Sequence, residues 1–325
     1  MRKFLPLSLF FLLIFQGCMP QIHLDILGTE KLKEVVLVKS KAREKILMVD
    51  VEGIISTNTA QGVFEREGDI LSRVYTRLEK AADDENVKGL ILRLNTPGGE
   101  VTASDIIYNE ILKFKEKTGI PILGLMMGLA ASGGYYVASA CDYIIAHPST
   151  LTGSIGVISV FPNLEELFGK IGVKVSIVKS GRMKDSGSVF REMTEEEKRI
   201  FQNIIEDYYK KFIDRVYDSR KKYISMDKLK EIADGRIFTA SQALELKLID
   251  EVGYFDSALE KVLDMARLKE AKVIAYTYYP KRKTNIYASA ASVIPLYEKK
   301  GISYEKLFPY LKSGFYYLWL PELEE

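Results

Sequence analysis

The stretch PILGLMMGLAASGGYYVASACDYIIAHP, Pro121 to Pro148, changes character twice. PILGLM reads as a buried strand, AASGGYYVASA as the start of a helix, and DYIIAHP as another strand. Between the first strand and the helix sits Ser132, among alanines and glycines, with bulky side chains beginning only at Tyr135. Small residues there let backbone segments pass closely, which is the ordinary structural explanation. The functional alternative is a nucleophile on a sharp turn, flanked by residues small enough for a carbonyl to approach. Backbone N–H groups at the start of the helix, beginning with Gly133, are unpaired and carry positive dipole character.

The same rhythm extends outward on both sides. Upstream, a polar, Lys-rich connector from about Lys31 to Lys45 precedes ILMVDVEGII, a buried strand rich in β-branched residues. Asp69 is placed to cap a helix whose apolar positions Ile70, Val74 and Leu78 fall at helical spacing. VKGLILRLN is a further strand, NTPGG a loop and VTASDIIYNEILKFKEK a helix. Downstream, a strand is expected at Val173–Val178, then a long amphipathic helix from Thr194 to about Lys222. The region Met226–Ala266 reads as helical with turns, and AKVIAYTYY as a last strand. Parallel strands covered by helices suit this alternation. The aromatic tail, containing FPYLKSGFYYLWLP, has too many charged, Gly and Pro interruptions to span a membrane. It is expected to pack on the body or at a subunit interface, with a membrane-surface patch as the alternative. There is no internal repeat.

Composition narrows the chemistry. The 325 residues carry 46 basic and 44 acidic groups, a net charge of +2, with 47% hydrophobic residues. A chain this balanced, without a basic patch, gives no case for nucleic acid. Two cysteines, Cys18 and Cys141, and two histidines, His23 and His147, leave little for a metal centre, a disulfide framework or a histidine triad. No Gly-rich phosphate motif is present, so no nucleotide or other cofactor is expected.

The N-terminus reads as an export signal: Arg2 and Lys3 precede an apolar run, Phe4 to Phe15, then Gly17 and Cys18. The run is shorter than the roughly 20 residues of a spanning helix. Either Cys18 is lipidated after cleavage, as at a bacterial lipoprotein site, or the segment stays as an uncleaved anchor. In both cases the body lies outside the cytoplasmic membrane, in a bacterial-type cell envelope.

Three positions complete a candidate site. NTPGG, Asn95 to Gly99, lets N–H groups point outward without side chains in the way, and such a loop holds an oxyanion. His147 ends a strand directly before Pro148, where a polar residue leaving a sheet is ordinary. Lys184, in the polar Gly-rich loop VKSGRMKDSGSVF, is the alternative base; taken alone it is a solvated loop charge. A lysine of ordinary pKa, about 10.4, must be desolvated to act as a base. Adjacent Asp185 would oppose that unless its carboxylate points away.

AASGGYY, TGSIGV at Thr152–Val157, SGRMKDSGSVFREMTEEE at Ser180–Glu197 and ADGRIFTASQALELKLIDEVG at Ala233–Gly253 together resemble the signal peptide peptidase A family of Ser/Lys proteases, peptidase family S49. The resemblance runs from about Ile46 to Ile274. It implies an α/β fold with a crotonase/Clp protease-like core of ββα units and additional helices. It further implies Ser132 as nucleophile, Lys184 as general base, Ser154 as the serine orienting the lysine and Gly99 as oxyanion donor; the Gly133 N–H, at the start of the helix, is expected on physical grounds as the second donor. Val189 stands where the family usually has proline. With no repeat, the chain resembles the short form of the family, which implies a homo-oligomer acting on remnant signal peptides at the membrane.

The expected organisation is therefore an export signal over 1–18, a connector over 19–45, a protease domain over 46–275 and a tail over 276–325. Two alternatives share the fold: a crotonase-type acyl-thioester enzyme and a non-catalytic membrane-associated scaffold.

Overall fold

The computed structural model describes residues 32–57, 69–278, 280, 283–288 and 315–319. The signal stretch 1–18, with Cys18, and most of the tail lie outside the described residues.

The centre is a mostly parallel sheet. Its strands are β1 (Lys33–Val38), β2 (Lys45–Glu52), β3 (Val87–Thr96), β5 (Ile122–Ala131), β6 (Tyr143–Ala146), β10 (Glu251–Val252) and β11 (Lys272–Thr277). They lie in the order β1-β11-β2-β3-β5-β6-β10, with β1 antiparallel to β11 and the other neighbours on this path parallel. The strands are near-continuous apolar runs because both faces are covered. In β2, Leu47, Val49 and Val51 enter one core cluster, while Ile46 and Met48 enter the other. Period-2 alternation thus feeds two cores from one strand.

The first core packs under α1 (Ile70–Ala82) and α2 (Val101–Thr118), the second under α8 (Phe255–Met265). Asp69 caps α1 as its spacing predicts, accepting from the Ser72 amide at 2.7 Å. Two short strands extend the site end of the sheet: β7 (Leu151–Gly153) pairs with β5, and β9 (Ile237–Thr239) pairs with β7.

Further elements are α3 (Gly133–Ala138), α4 (Glu165–Lys170), α5 (Glu195–Arg220), α6 (Met226–Ile232) and α7 (Ala240–Glu245). A small second sheet joins β4 (Gly98–Glu100), β8 (Ile158–Ser159) and β12 (Phe315–Leu318), with β12 in the middle. Among the described residues no helix is long and apolar enough to cross a membrane.

Three sequence expectations change here. The polar connector carries β1, which closes one sheet edge against β11. Part of the NTPGG loop is strand β4. The strand expected at Val173–Val178 does not form: the segment carries no regular secondary structure and pairs with no strand among the described residues, with Val173, Val175 and Ile177 exposed and Val178 100% exposed. Its alternating pattern is real, but no strand edge within the described chain meets it.

Candidate active site

Ser132 stands where β5 ends and α3 begins, at the carboxyl end of the sheet where open α/β sheets place ligands. Its backbone is at φ 52°, ψ −114°. That conformation disfavours a residue with a Cβ and costs on the order of 1–3 kcal/mol. Two hydrogen bonds hold it: the Ser132 amide donates to the Gly153 carbonyl at 2.8 Å, and the Tyr136 amide donates to the Ser132 carbonyl at 2.9 Å. The side chain forms no cap bond to α3, and the residue is only 1% exposed.

Ser154 follows β7, whose Gly153 lies opposite Ala131, and it too has positive φ, 49°. Its amide donates to the Arg236 carbonyl at 2.8 Å. Ser132 and Ser154 are thus brought to adjacent strand ends.

The third wall is β4. Gly98 has φ +100°, and a Cβ there would lie 2.6 Å from the Gly133 nitrogen. On Gly99 a Cβ would lie 1.9 Å from the Ile55 carbonyl oxygen, so glycine is required at both positions. The Ile55 amide donates to the Gly98 carbonyl at 2.8 Å, and the Glu100 amide donates to the Ile55 carbonyl at 2.7 Å. Alternation along the strand then turns the Gly99 N–H to the other side, toward β12. Gly98, next to Gly99, packs against the Gly133 amide that follows Ser132.

Behind Ser132, α3 is wedged in place by its two tyrosines. The Tyr135 hydroxyl donates to the Leu248 carbonyl at 2.7 Å, and the Tyr136 hydroxyl donates to Asp105 Oδ1 at 2.6 Å. Burial pushes the Tyr135 phenol up to about 12. For Tyr136 burial is again the leading cause of an upward shift, reinforced by Asp105.

No hydrogen bond joins Lys184 to Ser132 among the described residues. Lys184 is exposed, and its side chain makes no hydrogen bond or ion pair among the described residues. Its loop is nevertheless anchored. Asp185 is gripped by Lys179 at 2.5 Å and by Arg191 at 2.9 and 3.0 Å. The Arg191 contact, then that of Lys179, holds the Asp185 carboxyl well below its ordinary range. Asp185 is thus paired with Lys179 and Arg191, and no ion pair joins it to Lys184 among the described residues.

Arg191 also donates to Glu197 Oε2 at 3.0 Å, and Glu197 closes the capping box of α5 with Thr194. Arg191 foremost lowers the Glu197 carboxyl to about 2. Sequence reasoning passed over Arg191 and Glu197, although the T-x-x-E pattern at Thr194–Glu197 marks a capping box.

His147 turns elsewhere: Nδ1 accepts from the Ser149 amide at 3.2 Å, and the ring lies edge-on to Tyr254 at 4.9 Å. Cys141 is buried, its thiol pushed up to about 12 by desolvation. No group of three or more metal-ligating side chains occurs among the described residues.

Beside Gly98 and Gly133 lies Tyr317 of β12. A Cβ on Gly98 would meet the Tyr317 carbonyl oxygen at 2.0 Å, and one on Gly133 would meet it at 3.1 Å. The Tyr317 ring stacks on Tyr136 at 5.1 Å and packs against Phe212 at 4.6 Å.

Residues 114–269 match the model of peptidase family S49, and residues 63–151 match that of Clp protease. A protein of Enterococcus faecium named for signal peptide peptidase SppA is 36% identical over 81% of this chain and 74% of its own length. Protease 4 of Haemophilus influenzae is 36% identical over 70% of this chain, which spans 35% of that longer protein. The chloroplastic serine protease SPPA of Arabidopsis thaliana is 30% identical over 75% of this chain and 36% of its own length.

Proposed function

The chain belongs to peptidase family S49 and is a serine protease, and from that premise we propose that Ser132 is its nucleophile and Lys184 its general base. The observation carrying this reading is the strained, buried serine at a strand-to-helix turn, with Gly98 of β4 packed against the Gly133 amide that follows it. Strain of this kind persists only where surrounding structure over-determines it, and it clusters at nucleophile turns.

A neutral Lys184 takes the proton from Ser132 Oγ as the oxygen attacks a peptide carbonyl. The Gly99 and Gly133 N–H groups receive the resulting oxyanion, each donor contributing on the order of 3 kcal/mol. The lysine ammonium then protonates the leaving amine, and water enters to release the acyl group. Ser154 orients the lysine.

An exposed lysine is a poor base, so Lys184 must be covered in the working enzyme. We assign that cover to a second copy of the chain in a homo-oligomer. The exposed apolar residues Leu167, Ile171, Val173, Val175 and Val178, on the segment leading to Lys184, support such an interface. The substrates are remnant signal peptides, in keeping with the names of the relatives. The enzyme is held at the extracytoplasmic side of a membrane through its N-terminal segment.

Labelling with a fluorophosphonate tests the reading. The wild-type chain should be modified at Ser132, and Ser132→Ala should not react. Equal labelling of both would remove Ser132 from the mechanism.

A further inference from the structure

Two buried hydroxyls tie the strand that carries Gly99 to the helix that opens at Gly133. Thr96, the last residue of β3, and Ser104, in the first turn of α2, are both fully buried. The Gly98 amide donates to Thr96 Oγ1 at 3.0 Å, with the Gly98 carbonyl oxygen 3.4 Å away as acceptor for the hydroxyl proton. Ser104 Oγ donates to the Glu100 carbonyl at 2.9 Å. The residues on either side of Gly99 are thus each held by a hydroxyl.

The same two side chains press on the start of α3. A Cβ on Gly134 would lie 2.7 Å from the Thr96 Cγ2 methyl, and one on Gly133 would lie 2.5 Å from Ser104 Oγ. Gly98, at φ +100° and without a Cβ, has a backbone free to swing unless its polar groups are held. Its amide is held by Thr96, and its carbonyl accepts from the Ile55 amide at 2.8 Å. That carbonyl and the Gly99 N–H belong to one planar peptide, so fixing the first aims the second the opposite way.

We propose that Thr96, assisted by Ser104, is a positioning residue for the oxyanion donors: it aims the Gly99 N–H and sets its distance from the Gly133 N–H. This rests on the assignment of Ser132 and its donors above. Both hydroxyls act through the β4 backbone and the first turn of α3, and neither is given contact with the reacting atoms. Donors of this kind act on charge that develops in the transition state, so a misaimed donor lowers turnover and leaves ground-state binding unchanged.

The test compares the wild-type chain with Thr96→Val and Thr96→Ser in hydrolysis of one peptide and in inhibition by a peptide boronate of the same acyl-side sequence. Valine keeps the methyl against Gly134 and removes only the hydroxyl. With it kcat should fall about thirtyfold at unchanged KM, less than the roughly 10²–10³ expected for deleting a donor outright. The boronate, whose tetrahedral adduct puts an oxygen at the donors, should bind about thirtyfold more weakly. Thr96→Ser, which keeps the hydroxyl, should restore most of both. If Thr96→Val does not fold, Ser104→Ala takes its place and should lower kcat about threefold at unchanged KM. Wild-type kcat and boronate affinity in the folded variant, or a loss confined to KM, overturns the proposal. Hydrolysis that survives Ser132→Ala instead condemns the nucleophile assignment, and the positioning role falls with it.

Discussion

Ser132 and Ser154 each stand one residue beyond a paired position, Ala131 opposite Gly153, and both carry positive φ, 52° and 49°. The Ser132 amide donates to the carbonyl of Gly153, so the two strained turns share a hydrogen bond at their root. Two such residues at neighbouring strand ends cost about 1–3 kcal/mol each, an arrangement that serves chemistry rather than stability.

Glycine at position 132 should therefore separate the two. Ser132→Gly removes the Cβ from a left-handed backbone and should stabilise the fold by about 1 kcal/mol, raising Tm by about 2–4 °C. Hydrolysis should be abolished. Ser132→Ala should be equally inactive without the gain, since it keeps the strain. Thermal unfolding of the three chains measures the difference, and a fall in Tm for the glycine variant would contradict the account of strain.

The dyad makes a kinetic prediction. Lys184→Ala and Ser132→Ala should each abolish hydrolysis, while His147→Ala keeps most of it, because His147 bonds to Ser149 and faces Tyr254. With a lysine base the rate should rise with pH along a limb above the roughly 6.5 of a histidine. Profiles of kcat/KM against pH for the wild type and His147→Ala check this. If a second copy covers Lys184, activity should also fall on dilution below the assembly concentration, and light scattering should report dissociation over the same range.

Much of this site is legible in the chain because its parts are local. Ser132, Gly133 and the α1 cap at Asp69 follow from residue type and spacing within a few positions. Arg191 was not legible as a clamp, since its partners Asp185 and Glu197 meet only after the loop folds back on α5. β1 was hidden in a Lys-rich stretch because an edge strand needs apolar residues on one face only. Val173–Val178 erred the other way: alternation predicts a strand, but a strand also needs a partner edge. The seat of Tyr317 against Gly99 depends on a pairing across more than 200 residues, which no local pattern encodes.

The loop that carries Lys184 should be acid-sensitive. Asp185 and Glu197 both titrate below their ordinary range in the fold, Glu197 at about 2. Depressed carboxylates contribute stability that is fully present above the unfolded pKa values, about 3.9 and 4.3, and is lost as pH falls toward the folded ones. Between about pH 5 and pH 2 the wild type should lose Tm more steeply than Glu197→Gln, whose stability lacks that titration. Arg191→Gln should flatten the same limb by removing the shared partner of both carboxylates. Parallel melting curves for all three chains in this window would sink the idea.

The last prediction concerns the support behind α3. Arg220 on α5 pairs with Asp250 through two contacts, at 2.6 and 3.1 Å, and Asp250 Oδ2 also accepts from the Ile144 amide at 2.7 Å. Arg220 is 3% exposed, so deleting its partner leaves a charge buried without compensation. Such a deletion costs about 3–5 kcal/mol, whereas replacing both members by apolar residues is often neutral. Asp250→Ala should thus unfold at much lower denaturant than the wild type, and Arg220→Met with Asp250→Leu should recover most of the loss. The double variant still lacks an acceptor for the Ile144 amide, which keeps recovery incomplete by about 1–3 kcal/mol. Because Tyr135 of α3 is held to Leu248, two residues from Asp250, Asp250→Ala should also slow labelling of Ser132 before global unfolding begins. Labelling rates measured below the unfolding transition decide this: a rate equal to wild type would uncouple the buried pair from the nucleophile turn.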